Sequence, residues 1–121
     1  MVPVSGLKLG VAYDEALAHR IRETIGDDPD LTEKKMFGGL AFLIGGNMAI
    51  AAAGQGGLLV RVDPAESDHL VATTAATTAE MRGRPMSGWL RVGAGEVASD
   101  EELRTWVQRG TAFARSLPRK Q

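Results

Sequence analysis

The chain has 121 residues, the length of one domain, and is long enough to bury a hydrophobic core. Its 14 basic and 15 acidic residues give a net charge of -1, which excludes the general attraction to nucleic acid or anionic membranes that strongly basic proteins have. The absence of cysteine excludes disulfides, thiolate metal ligands and a thiol nucleophile.

The N-terminal stretch lacks the charged start, apolar centre and cleavage site of an export signal. We therefore expect residues 1–10 to form a flexible arm, residues 11–118 to form the domain, and residues 119–121 to form a short tail. No apolar run approaches the roughly 20 residues that a membrane-spanning helix needs. The sequence predicts a cytoplasmic protein that does not bind membranes.

The first predicted element is an amphipathic helix over residues 11–25. Apolar residues recur there at every fourth position, with charged residues between them: Tyr13, Leu17, Ile21 and Ile25. Gly26 and the turn-forming residues around Pro29 are typical of a helix end. The helix should therefore pack one apolar face against the rest of the domain.

Four short strands are predicted next, separated by glycine-rich breaks: 33–38, 40–44, 48–53 and 58–62. Breaks this short predict antiparallel neighbours. In the last strand the aliphatic residues Leu58, Val60 and Val62 alternate with Leu59 and Arg61. Because side chains alternate between the two faces of a strand, Arg61 should point toward solvent or a partner.

The second half of the chain predicts two more helices and one strand. Asp63 and Pro64 are typical of a helix start and predict a helix that ends at about Ala72. The small polar residues 73–78 predict an irregular link, and residues 88–92 predict the last strand. Ser99 or Asp100 begins the last helix, whose apolar stripe is Leu103, Trp106, Val107, Gly110, Phe113, Ala114 and Leu117.

Together these elements predict an α+β fold. We expect a single antiparallel β-sheet of about five strands, with the N- and C-terminal helices packed on one face. The other face or an edge of the sheet would then be available to a partner.

Several separated motifs occur in the order and spacing of one known family: Lys34-Lys35-Met36-Phe37-Gly38-Gly39, Gly46-Asn47-Met48, Leu58-Leu59-Val60-Arg61-Val62, Gly83-Arg84-Pro85-Met86, Trp89, and Trp106, Gly110 and Phe113-Ala114-Arg115-Ser116-Leu117. From about Val11 to Leu117 the chain resembles the TfoX/Sxy N-terminal domain family. The resemblance implies helices packed on one antiparallel sheet, in a family named for bacterial coactivators of competence-gene transcription. In those regulators a second, helical domain usually follows, and this chain stops after the first. The resemblance supplies no catalytic residues.

Basic residues near these motifs are the first candidates for a binding surface: Lys34, Lys35, Arg61, Arg82 and Arg84. If the strands pair as predicted, these side chains could form one basic patch for a phosphate group or an acidic partner. The alternative is an ordinary solvated sheet edge, because exposed lysines also protect edges against aggregation.

Met36, Phe37 and Trp89 are candidates for lining a small cleft, since methionine adapts to varied apolar partners. The alternative is that Met36 and Phe37 belong to a structural turn or bulge. Trp89 and Trp106 are expected as core anchors in mutual contact, but Trp89 would be an interaction hot spot if it lay on the open face of the sheet.

Three other patterns predict no chemistry. The Gly93–Ala98 stretch matches a loose dinucleotide-binding pattern, but the chain ends before the second parallel strand that such a site needs. Glu15, His19 and Glu23 share one helix face with arginines, which indicates a solvated, charged surface. His69 and its neighbours point in different directions and cannot form a relay. We therefore expect no catalytic residues, metal or cofactor.

Two functions follow as hypotheses. The first is a non-enzymatic protein-interaction or regulatory module with an unidentified protein partner, for which the resemblance makes the transcription machinery a candidate. The second is a small-molecule-binding protein or enzyme with a cleft near Met36, Phe37 and Trp89. The near-neutral charge disfavours direct nucleic-acid binding, and an exposed strand edge leaves a homodimer open.

Overall fold

The structure, a computed structural model, describes residues 13–36 and 38–120. The elements in chain order are α1 (Glu15–Ile25), β1 (Leu31–Met36), β2 (Gly39–Ile44), β3 (Asn47–Ala52), β4 (Leu58–Arg61), α2 (Pro64–Thr73), β5 (Thr77–Met81), β6 (Arg84–Val92) and α3 (Asp100–Ser116). A 3-10 turn, Ala94–Val97, precedes α3. The α+β class predicted from the sequence is confirmed.

Polar side chains set where each helix begins. The carboxylate of Asp14 accepts a hydrogen bond from the Leu17 amide at 3.0 Å, so α1 begins at Glu15 rather than at the predicted residue 11. Asp63 caps α2 in the same way. At α3 the Ser99 hydroxyl accepts from the Glu102 amide at 3.1 Å, which caps the helix, and donates to the Glu102 carboxylate at 3.0 Å.

The strands form one antiparallel sheet in the order β1-β2-β3-β4-β6-β5. It has six strands instead of the predicted five, because residues 77–81 form β5, which begins within the predicted irregular link of residues 73–78. That segment finds its hydrogen-bonding partner in β6, across a tight turn in which Arg82 and Gly83 have φ angles of 55° and 77°. Gly88, which resembled a strand boundary, lies inside β6.

The main hydrophobic core lies on one face of the sheet, beneath all three helices. It combines Leu17 and Ile21 of α1 and Leu70 of α2 with the buried side chains of α3 and the central strands. Of the predicted stripe on α3, Phe113 and Leu117 are only half-buried, and the other five residues are buried as expected.

Residues 118–120 are bonded to the turn between β2 and β3. The Asn47 side chain donates to the Pro118 carbonyl at 2.9 Å, and the Lys120 amide donates to the Gly45 carbonyl at 2.9 Å. These bonds hold the segment that follows α3 against the sheet. None of the helices in the described ranges has the length and apolar character needed to cross a bilayer.

Candidate functional site

The second face of the sheet carries a smaller hydrophobic cluster. Ala41, Met48 and Ala51 are buried there, and partly buried apolar side chains pack against them: Met36, Leu43, Leu59 and Trp89. The described helices contribute their buried residues to the main core and none to this cluster. The second face is therefore apolar without a covering helix from the described chain.

A cavity of about 240 Å³ opens on this second face. Its lining includes Met36 of β1, Met48 of β3, Met81 of β5 and Met86 of β6. The chain contains five methionines, so every one except Met1 lines this cavity. We call the cavity the methionine groove. The other described lining residues are Gly39, Ala41, Ala51, Ala53, Gly54, Gln55, Leu59, Ala79, Glu80, Trp89 and Arg91.

The β5–β6 hairpin, which contributes two methionines to the groove, has an irregular backbone around Gly88. Gly88 has a φ of 87°, and a Cβ atom at that position would lie 3.0 Å from the Val62 carbonyl oxygen. The Gly88 amide donates to the Ser67 hydroxyl at 3.2 Å, and its carbonyl accepts from the Val62 amide at 2.8 Å. The pairing register shifts at the same place: the two steps from Thr78 to Glu80 along β5 lie opposite the five from Leu90 to Pro85 along β6, so the extra residues lie in β6. Such bulges bend strands and redirect side chains.

Backbone forms the groove wall around Gly39 and Gly54. A Cβ atom at Gly39 would lie 2.3 Å from the Ala52 carbonyl oxygen, and one at Gly54 would lie 2.7 Å from the Gly38 carbonyl oxygen. A side chain at either position would therefore collide with main chain. Phe37, predicted to line the cleft with Met36, lies outside the described residues.

The structure separates Lys34 from Lys35. Lys34 pairs across the strands with Ala41, which lines the groove, whereas Lys35 pairs with Leu40, which belongs to the main core. Directly opposite residues share a face of the sheet. Lys34 is consequently on the groove face and Lys35 on the helix face, and both are exposed.

The predicted basic arginines lie on other strands. Arg61 is on β4, which β2 and β3 separate from β1, and its guanidinium lies 5.1 Å from the centre of the Trp89 ring and 5.5 Å from that of Phe113. Arg84 is exposed and pairs across the hairpin with Met81, and Arg82 is in the hairpin turn. Lys34, Arg61 and Arg84 therefore lie near the groove on three different strands, whereas Arg82 is in the hairpin turn and Lys35 is on the helix face.

The two tryptophans lie on opposite faces of the sheet. Trp89 lines the groove and is half-buried, while Trp106 belongs to the main core and has the Arg109 guanidinium 4.5 Å from its ring centre. The expected contact between the two rings is therefore wrong. The alternative placement, with Trp89 on the open face, is the one that the structure contains.

Sequence reasoning missed most of the groove. Met48, Met81 and Met86 were not candidates, and neither was Arg91, whose guanidinium donates to the Gln55 side-chain oxygen at the rim. The available signal was the number of internal methionines. Their convergence could not be inferred, because they lie on four different strands.

The chemistry of the lining suits binding. Glu80 and Arg91 are its charged residues, and the described lining contains no hydroxyl, imidazole or thiol nucleophile. Across the described ranges, no group of three or more histidine, cysteine or acidic side chains is placed to hold a metal ion. The groove can take up apolar groups next to an aromatic ring and a few charges.

The model of the TfoX N-terminal domain family matches residues 23–114, most of the chain. The matched range contains β1 through β6, and therefore every described residue that lines the groove. No curated protein matches the chain, and no solved structure matches it.

Proposed function

The chain belongs to the TfoX N-terminal domain family, and from this premise we propose that it is a non-enzymatic regulatory domain that binds a protein partner through the methionine groove. The family match supports the regulatory role. The groove supports binding, because it is an apolar surface on a sheet face that no described helix covers.

The observation that carries this proposal is the convergence of four methionines on one exposed face. Methionine side chains are unbranched and polarizable, so surfaces rich in methionine adapt to apolar partners of different shapes. Trp89 adds the kind of large aromatic contact that is common in binding hot spots. Met81 also exposes 43% of its surface, which makes it accessible to a partner.

A small apolar molecule is the second candidate ligand, because the groove encloses a definite volume. That volume, about 240 Å³, is below the roughly 300–1,000 Å³ of pockets that engulf a drug-sized ligand. It suits one or two inserted side chains better. We therefore favour a peptide segment whose remaining surface stays outside the groove.

The family's namesakes extend the proposal to a biological setting. Coactivators of competence genes act on bacterial transcription, so we propose a partner from the transcription machinery and a role in the cytoplasm. We propose no direct contact with nucleic acid, because the net charge of -1 supplies little general attraction to phosphates.

The test is a selection of peptides from a random library on the full chain, followed by NMR with ¹³C-methyl methionine. Selected peptides should shift the methyl signals of the groove methionines and the indole signal of Trp89, while the Trp106 indole on the other face stays unchanged. A metabolite screen by thermal shift on the same protein tests the small-molecule candidate.

A pair of variants connects binding to the groove. Met86→Glu places a charge in the lining, and Ser87→Glu places the same charge on the neighbouring exposed residue that does not line the groove. Met86→Glu should weaken the selected peptides at least tenfold and Ser87→Glu less than twofold. Peptides that bind both variants equally well would refute the proposed surface.

A further inference from the structure

We propose that the segment bound in the methionine groove is an acidic amphipathic helix, with apolar side chains that enter the groove and Asp or Glu residues beside them. This inference rests on the proposed function and adds the chemistry of the partner. It follows from the distribution of charge around the groove and from the central strands that form the floor of the groove.

Four basic side chains form what we call the cationic rim: Lys34, Arg61, Arg84 and Arg91. Lys34 pairs with the lining residue Ala41, Arg61 covers the Trp89 ring, Arg84 pairs with Met81, and Arg91 lines the groove itself. Of the chain's 15 acidic residues, only Glu80 is in the lining. A nearly neutral protein therefore presents a positive surface on this face.

No described carboxylate neutralises the rim cations, although Arg91 donates to the Gln55 side chain and Arg61 lies against the Trp89 and Phe113 rings. The ion pairs in the described ranges use the arginines at positions 20, 22, 115 and 119, all on the helix side or after α3. None of the rim cations forms an ion pair with a described residue. Unpaired charges beside an apolar surface favour partners of opposite sign and disfavour partners of like sign.

The pairing register gives the approximate length of the partner. Lys34 and Arg91 are the ends of one cross-strand row, with Ala41, Ala51 and Leu59 between them. The row crosses four strand-to-strand intervals, so its ends are about 19 Å apart at about 4.8 Å per interval. A helix rises 1.5 Å per residue, so about 13 residues span this distance. The partner helix would therefore have three to four turns.

A helix fits this floor better than an added strand. A peptide that pairs as a strand needs a free sheet edge, and here the edges are β1 and β5. The floor of the groove lies on the central strands, where the backbone is already paired. The small side chains of Ala41 and Ala51 leave room for an apolar helix face to lie across the strands.

The experiment uses two libraries of 14-residue helical peptides with the same random apolar stripe. The residues that flank the stripe are all Glu in one library and all Lys in the other. Both are selected on the full chain, and binders are confirmed by shifts of the Trp89 indole and the methionine methyl signals. Binders should come from the Glu library, and their affinity should fall as salt is added.

Lys34→Glu and Lys35→Glu are a matched pair, because both lysines are exposed neighbours on β1 and differ in the face they occupy. Lys34→Glu should weaken the Glu-library binders about threefold to tenfold, and Lys35→Glu less than twofold. Equal effects of the two substitutions would overturn the inference. Urea denaturation of each variant separates a binding defect from a folding defect.

The outcomes distinguish this inference from the function on which it rests. Groove binders that come equally from the Lys library would overturn the acidic partner and leave the interaction module intact. If neither library yields a binder that Met86→Glu weakens, both proposals fail. A single-stranded DNA oligonucleotide that binds and depends on Lys34, with no peptide binding, would also overturn the acidic helix.

Discussion

Gly110→Ala should destabilise the protein, although glycine to alanine usually stabilises a helix. Gly110 lies within α3, where alanine is normally more favourable by about 1 kcal/mol. Here an added Cβ would lie 2.4 Å from the carbonyl oxygen of Ala49 and 3.3 Å from a methyl group of Val60. Ala49 belongs to the central strand β3, whose backbone cannot easily move away.

The size of the effect follows from how far the added Cβ must move from the Ala49 carbonyl oxygen to reach an ordinary contact distance. Ordinary contact would require α3 and β3 to separate by about 1 Å, which loosens the core between them. Overpacking of this kind costs about 1–3 kcal/mol or more, and a collision with backbone belongs to the upper part of that range. After the gain in helix propensity, we expect a net loss of about 2 kcal/mol in the free energy of unfolding.

Urea denaturation of the full chain, followed by circular dichroism, measures this change. Gly95→Ala is the matched control, because nothing lies within 4 Å of a Cβ at that position and its φ is not in the left-handed region. The control should stay within about 0.5 kcal/mol of the natural protein. If Gly110→Ala were as stable as the natural protein or more so, the close contact between α3 and β3 would be refuted.

Two further predictions concern hydrogen bonds. Ser67→Ala removes the buried hydroxyl that accepts from the Gly88 amide, so the free energy of unfolding should fall by about 1–3 kcal/mol. The control Ser87→Ala should change it little, and equal stabilities of the two variants would contradict the prediction. The Arg22 guanidinium donates two hydrogen bonds to Glu33, at 2.6 and 2.8 Å, and thereby lowers the pKa of that carboxyl below its usual value. The stability that this ion pair contributes is fully present above the pKa that Glu33 has in the unfolded chain. It is lost as the pH falls through the lower pKa that Glu33 has in the folded protein. Glu33→Gln should therefore destabilise by up to about 1 kcal/mol at pH 7 and by progressively less as the pH is lowered into the acid range, and a difference that does not shrink would contradict the assignment.

Local chemistry explains why much of the fold could be predicted. Helix α3 begins where Ser99 and Glu102 satisfy each other's hydrogen bonds, and α2 begins at an Asp-Pro pair. The turn between β2 and β3 uses Gly45 and Gly46, which have φ angles of 60° and 84°. These signals act over a few residues, so they can be read in the sequence.

Strand β5 could not be predicted in this way. Residues 77–81 contain only a short alternation, Ala79-Glu80-Met81, and they become a strand by pairing with β6. The predicted last strand began at Gly88, whereas β6 begins at Arg84. Gly88 lies inside β6, where its missing side chain lets the Val62 carbonyl approach.

One feature of the candidate site was available in the sequence. Side chains alternate along a strand, so the prediction of β1 already implied opposite faces for Lys34 and Lys35, which argues against the predicted patch that contained both. Alternation alone does not determine which of the two lysines is on the helix face. That assignment depends on the register between β1 and β2.

By itself the amino-acid sequence determined the α+β class, the starts of α2 and α3, the antiparallel order of β1 to β4 and the resemblance to the family. All of these depend on residues that are close together or on ordered motifs along the chain. Only the tertiary structure decided that Met36, Met48, Met81 and Met86 share one groove with Trp89. They come from four strands, and only the strand order and the pairing registers, including the shift between β5 and β6 around Gly88, bring their side chains to the same face.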